Sequence, residues 1–352
     1  MPTLTPKENY LRLGRGIMPE YVPNPMMMGA DGPVVSTGYG ELYRAEGQGG
    51  FLWQGEGAPP TEWTDMWGAP WVANFETNWQ GLPRPFDFVL DDVTKWDKVV
   101  KKPDKDVSNI DWIARSKADL DKIDRKQSAV SIQAPCGSFT EFIAFTGYSY
   151  GLVALIEEPE SVKEMLAYMT DWYKPLVDKH IEYYNPDLVG IGDDTASKYA
   201  PFFSLDVYRD IFKPQYARVT EKAKNRNIMI EFHNCGKCEL FIPDMIDFGV
   251  HYWNPAQTEN DLLGIKERHK EFAICGGFDF VPPVGEPVTE DMARQAVRDT
   301  IDKYAPGGGY SFGGGFISTA DDADQAAKVN EWIRDEARNY GLNFYKKQEA
   351  LI

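Results

Sequence analysis

His233 and Cys235 stand two residues apart at the end of an apolar run, Ile228 to Phe232, and Gly236 follows them. Side chains on a strand alternate faces, so Glu231, His233 and Cys235 share one face while Phe232 and Asn234 take the other. An imidazole and a thiolate together at a strand end are poor core material and good ligands for a borderline-soft cation such as Zn2+. Two ligands do not complete such a site, which usually takes three protein groups and keeps a position open. Cys275 is the expected third metal ligand: it ends another apolar run, Phe272 to Ile274, and precedes Gly276-Gly277-Phe278-Asp279. Cys238 ranks below it, because it begins the following loop or helix. The lone Cys235-Gly236-Lys237-Cys238 spacing also lacks the surroundings of a redox pair. Cys136 reads as a core thiol.

Asp193 and Asp194 close a third apolar run, Asp187 to Gly192. Paired carboxylates there suit general acid–base work, a cation or substrate orientation, and Glu231 joins them as a candidate catalytic acid. The plainer reading of the pair is a capped loop. His251 begins a run and falls at the opposite end of its strand, while His180 and His269 lie on helices; all three read as structural or solvated. The runs Gly307-Gly308-Gly309 and Gly313-Gly314-Gly315 allow close backbone approach, without a phosphate signature to support more.

Alternating elements must position these residues. Strand-like runs fall at 128–134, 187–192, 228–233, 250–253, 272–275 and 309–312, with helical stretches between them. In the stretch from Ser161 to Tyr184, Val162, Met165, Leu166, Met169, Trp172, Tyr173 and Leu176 repeat every three or four residues, so one face is buried. Ser204 is placed to cap a helix carrying Tyr208, Ile211, Phe212 and Tyr216, with Pro214 as a kink. Repeated βα units imply a parallel sheet. With two more strands within 40–127 the pattern predicts a (β/α)8 TIM barrel, over residues 86–352, rather than an open doubly wound sheet, which lacks its glycine fingerprint here. Residues 1–85, rich in Gly, Pro, Met and Trp (Met26-Met27-Met28-Gly29, Trp63, Trp67, Trp71), are expected to form an irregular extension packed on the barrel, its aromatic rings also available as pocket walls.

Composition excludes several roles. Asp and Glu outnumber Lys and Arg by 54 to 37, a net charge of -17 in 352 residues, and so acidic a surface repels nucleic acid and anionic membranes. No apolar run approaches the roughly 20 residues of a bilayer span. Four cysteines do not make a disulfide framework, and the first residues carry no signal-peptide pattern, so a cytoplasmic protein is expected. A homo-oligomer is compatible with all of this.

In order along the chain, Phe88 to Trp96 leading to Lys102-Pro103, Asp111-Trp112, Glu157 to Val162, Gly192-Asp193-Asp194, Ser204 to Pro214, His233-Asn234-Cys235-Gly236, Gly249 to Pro255, Gly276 to Asp279 and Gly307 to Phe312 form a set. This set resembles the uroporphyrinogen decarboxylase superfamily, and within it the branch of cobalamin-dependent methyltransferases. The decarboxylase itself fits poorly, because residues 8–45 hold only isolated arginines (Arg12, Arg15, Arg44) where that enzyme grips substrate carboxylates. In the methyltransferase branch the resemblance implies that His233 and Cys235 bind zinc. The branch's usual late cysteine is missing from Gly313-Gly314-Gly315-Phe316, so Cys275, or an acid such as Glu231 or Asp194, would replace it. Some ether-cleaving members pair two widely spaced cysteines with an acid. The resemblance thus implies an O-demethylase methyltransferase, moving a methyl group from a small methoxylated, aromatic donor to the corrinoid of a partner protein. A methylcobamide-to-thiol transferase, a uroporphyrinogen decarboxylase-like enzyme and a non-catalytic corrinoid- or ligand-binding barrel are the alternatives.

Overall fold

The computed structural model describes residues 2–24, 32–38, 61–77, 81–104, 107–282, 287–316 and 323–349. The Met26-Met27-Met28-Gly29 stretch and Arg44 lie outside them. Ten strands are described: β1 (Val34–Ser36), β2 (Thr61–Thr64), β3 (Pro70–Ala73), β4 (Leu82–Pro83), β5 (Ala129–Gln133), β6 (Leu188–Asp193), β7 (Met229–Asn234), β8 (Val250–Ala256), β9 (Ala273–Gly277) and β10 (Tyr310–Gly313). Seven of them form one parallel sheet in the order β1-β5-β6-β7-β8-β9-β10. A sheet that follows chain order, with helices crossing between strands, is the TIM-barrel architecture. The remaining three strands, described where two more barrel strands were expected within 40–127, make instead a small antiparallel sheet, β2-β3-β4, so the parallel sheet has seven described strands rather than eight.

The expected extension over residues 1–85 therefore includes two parts of the barrel itself. One is β1, which pairs with β5 from Val34↔Ala129 to Ser36↔Ser131. The other is the helix Pro6–Leu13, started by a Thr5–Glu8 capping box with Pro6 in its first turn. Its Tyr10, Leu11 and Leu13 cluster with Ala129, Leu188, Met229, Tyr252 and Ala273, which start the strands, so the helix plugs the barrel's N-terminal end. Tyr10 stacks on Tyr252 at 4.8 Å, nearly parallel. The segment after this helix also touches the sheet, since the Phe312 N–H donates to the Pro23 carbonyl. Short strands are weak sequence signals: three residues of β1 carry no periodicity to read.

Trp67 and Trp71, expected as cover and as pocket wall, are buried. Trp67 packs edge-on against Trp172 and Tyr173 of the helix Pro159–Tyr184, and its indole N–H donates to the Tyr173 hydroxyl at 2.6 Å. Asp65 accepts from the Trp71 indole and from two backbone amides of the same turn. These rings serve packing.

The predicted helix Ser161–Tyr184 runs from Pro159, and six of its seven named apolar residues are buried, Trp172 being the partly exposed one. Ser204 does cap: its hydroxyl accepts from the Val207 amide. The next turn, Tyr208–Phe212, widens to a π turn before the helix Lys213–Asn225, which starts with Pro214 in its first turn. A proline ring collides with the carbonyl four residues back, and a wider turn ahead of it relieves that collision. One helix, Phe139–Glu157, is long and apolar enough to cross a membrane, which corrects the expectation that no run approaches that length. Its apolarity is accounted for within the fold, where Phe139, Phe142, Ile143 and Phe145 are fully buried.

Candidate metal centre

Asp194, His233 and Cys235 present a carboxylate oxygen, an imidazole nitrogen and a thiol sulfur within 4.8 Å of one another. Among the described residues they are the one group of three such side chains close enough to share a metal ion. All three sit at the C-terminal ends of β6 and β7, the end where barrels of this class build their sites. Parallel pairing sets Gly192 beside His233 and Asp193 beside Asn234, which brings the turn after β6 against the turn after β7.

The spacing fits a metal. Cys235 Sγ lies 3.5 Å from His233 Nε2. A tetrahedral zinc with bonds of roughly 2.3 Å to sulfur and 2.0–2.1 Å to nitrogen holds those atoms about 3.5 Å apart. The chemistry of the set fits as well. Burial and then the neighbouring Asp194 carboxylate push the Cys235 thiol up in pKa, so thiolate and carboxylate oppose each other until a cation lies between them. Asp194 also accepts from the Cys235 amide at 3.3 Å, locking the two turns together.

The turn after β7 is built to hold this position. Gly236 has a left-handed φ of 85°, and a side chain there would run into the Ala196 carbonyl. Its amide donates to Gln257 Oε1 and its carbonyl accepts from Asn260 Nδ2. Asn234 points the other way, as alternation requires, and its Oδ1 accepts from the Thr195 amide and hydroxyl.

His233 Nδ1 lies 2.7 Å from Asn254 Oδ1, and Asn254 Nδ2 donates to Glu231 Oε1 at 2.6 Å. A register shift between Ile230 and Glu231 sets Tyr252 opposite Glu231 and Asn254 opposite His233 on neighbouring strands. Burial raises the Glu231 carboxyl, while the Asn254 hydrogen bond and the nearby His233 pull it down. Glu231, expected as a catalytic acid or ligand, thus lies deeper than the group of three and reaches it through Asn254. In the sequence Asn254 stands out only within the segment Gly249 to Pro255, by a polar side chain two residues after Tyr252 on an otherwise apolar strand.

Asp193 and Asp194 part company. Asp193 is buried and accepts from the amides of Phe139, Thr140 and Asp194, the Thr140 hydroxyl and the Tyr216 hydroxyl. It anchors the start of the helix Phe139–Glu157, whose N-terminal amides favour a negative charge. Cys275, the expected third ligand, is not brought to the group. It lies 3 % exposed in the lower barrel, its Sγ 3.9 Å from the Tyr10 hydroxyl, and burial followed by the Glu231 charge pushes its thiol up to about 12. Cys238 is buried, donating to the Asn234 carbonyl, and Cys136 is buried too. His251 accepts from the Ile230 amide and His180 is enclosed by rings, as structural histidines.

The space beside the cluster is open. Gly192 faces the barrel interior and is exposed, and a Cβ built on it would meet only the His233 Cβ, at 3.9 Å. Tyr148 and Phe202 are tilted rings 5.2 Å apart, and burial, followed by the charges of Asp194 and Asp193, raises the Tyr148 hydroxyl.

No curated protein matches the chain by sequence. Among solved structures, a methyltransferase from Methanosarcina mazei is similar in fold, with a TM-score of 0.58 at 14% identity, covering 96% of this chain and 99% of that one. The family model for uroporphyrinogen decarboxylase (URO-D) matches residues 81–327, a span that holds β5 to β10 and every member of the cluster. The chain belongs to the uroporphyrinogen decarboxylase (URO-D) family.

Proposed function

We propose that the protein is a zinc-dependent methyltransferase that takes the methyl group of a methoxylated, aromatic donor and passes it to the corrinoid of a separate partner protein. The observation that carries this reading is the convergence of Asp194, His233 and Cys235 at the barrel mouth, with the imidazole and thiol at the spacing of two ligands on one tetrahedral ion. Support also comes from the fold shared with a methyltransferase, the open wall at Gly192 and the Tyr148–Phe202 pair, which suits an aromatic ring.

Asp194, His233 and Cys235 hold the metal in this reading, Asp194 taking the place that the sequence offered to Cys275. When bound, Zn2+ supplies Lewis acidity at the ether oxygen, which leaves with the electron pair of the broken carbon–oxygen bond. The methyl group would pass to the cobalt(I) of the partner's corrinoid, which would supply the electron pair of the new bond. Gly192 leaves room for the donor beside His233, and the Gly236 turn fixes Cys235 at the edge of that room.

The test is metal analysis of the purified protein, with methyl transfer to free cob(I)alamin measured over a panel of methoxylated arenes. One zinc per chain and transfer from at least one arene are expected. His233→Ala and Cys235→Ser should each lower both by at least tenfold. Protein without stoichiometric metal, or variants that transfer methyl at the wild-type rate, would overturn the reading.

A further inference from the structure

The imidazole of His233 can present a lone pair at Nε2 only if its single proton sits on Nδ1. Free neutral imidazole side chains favour the opposite tautomer, so something must hold the ring. We infer that Asn254, itself oriented by Glu231, is the positioning residue that fixes His233 as the Nδ1–H tautomer with Nε2 turned toward Cys235.

Asn254 meets two neighbours with its amide, Glu231 Oε1 at 2.6 Å and His233 Nδ1 at 2.7 Å. A carboxylate oxygen accepts, and the amide nitrogen is the only part of the Asn254 side chain that donates, so Nδ2 faces Glu231. That leaves Oδ1 toward the imidazole. An oxygen there needs a proton from the ring, which places the proton on Nδ1 and the lone pair on Nε2, the atom 3.5 Å from Cys235 Sγ. The three residues stand on β7 and β8 in a register that sets His233 opposite Asn254, so strand pairing holds the relay. A hydrogen bond to the far nitrogen of a ligating histidine sets its tautomer and raises its basicity, and losing one weakens metal binding roughly 10–100-fold.

The consequence for metal affinity rests on the zinc reading above, whereas the tautomer does not, so the two can fail separately. The chain has four histidines, His180, His233, His251 and His269, few enough to resolve by NMR on protein labelled with 15N at histidine. In metal-free wild type, His233 should show a protonated Nδ1 and an unprotonated Nε2. Asn254→Leu should move the proton to Nε2 or scramble it, and the exchange Glu231→Gln with Asn254→Asp, which keeps an acceptor toward the ring and a donor beneath it, should preserve the proton on Nδ1. In chelator competition, zinc affinity should fall roughly 10–100-fold in Asn254→Leu and far less in the Glu231→Gln, Asn254→Asp exchange. Glu231→Ala frees the amide to rotate and should give a mixed tautomer, which provides the same readout should Asn254→Leu fail to fold. A His233 tautomer indifferent to both Asn254→Leu and Glu231→Ala overturns the inference. Wild type that binds no zinc but shows the Asn254-dependent tautomer sinks the metal reading alone.

Discussion

A carboxylate that receives five hydrogen bonds has little left to offer a metal, and Asp193 is in that position while its neighbour Asp194 faces the mouth. Asp193→Asn would set an amide N–H against donors in a buried site, so we expect it to destabilise the fold by about 3 kcal/mol while metal content survives. Asp194→Ala should do the reverse, leaving the denaturation midpoint near wild type and lowering zinc affinity; equilibrium unfolding and chelator competition separate the two. Gly192→Val would fill the open wall beside His233, and we expect kcat/KM for a bulky aryl donor to fall more than tenfold with zinc content unchanged. The reach of sequence reasoning is visible at these residues. Alternation put His233 and Glu231 on one face, and the turn at Gly236 kept Cys235 with them. Of the third partners the sequence offers, Asp194 lies beside the pair and Cys275 does not, because depth within a barrel depends on strand register. Cys275 pairs with Ser311 partway along β9, and its Tyr10 neighbour, which lies 265 residues away, is set by tertiary packing.

Among the elements, the long helices and buried strands were legible, because each has a sustained period or an apolar run closed by glycine. The helix Pro159–Tyr184 buries the face its spacing implied, and the capping hydroxyl of Ser204 sits where its residue type suggested. The short pieces were not legible. β1 lacks the length to announce itself, while the plug Pro6–Leu13 carries a readable start in Thr5, Pro6 and Glu8 but no sign of where it docks, and both gain their order from contacts with strands far along the chain. Tyr10 shows how strongly the plug is held: it is fully buried, stacked on Tyr252, and its carbonyl accepts from the Tyr252 hydroxyl at 3.1 Å. Tyr10→Ala should cost about 3–5 kcal/mol of stability, measured by chemical denaturation, since the cavity it leaves is walled by strands that cannot collapse.

At the scale of the whole molecule, His180 makes stability depend on acidity. Its ring is packed edge-on between Trp112 and Tyr184, and burial, reinforced by Arg115, depresses its pKa to about 4. The unfolded chain protonates this residue near pH 6.5, so between that pH and about 4 the unfolded state binds more protons. The contribution of a neutral, buried His180 is complete above pH 6.5 and is lost as pH falls through the folded value, by about 3 kcal/mol in all. Unfolding free energies measured at pH 7, 5.5 and 4 should decline accordingly, and His180→Phe should flatten that slope.

The plug also sets a timetable. Its partner Tyr252 follows Tyr10 by 242 residues, so a growing chain carries the residues of its first helix long before it has the strand that covers them. Until β8 has left the ribosome, Tyr10 lacks the Tyr252 ring it stacks on, and with Leu11 and Leu13 it leaves apolar surface uncovered of the kind a chaperone recognises.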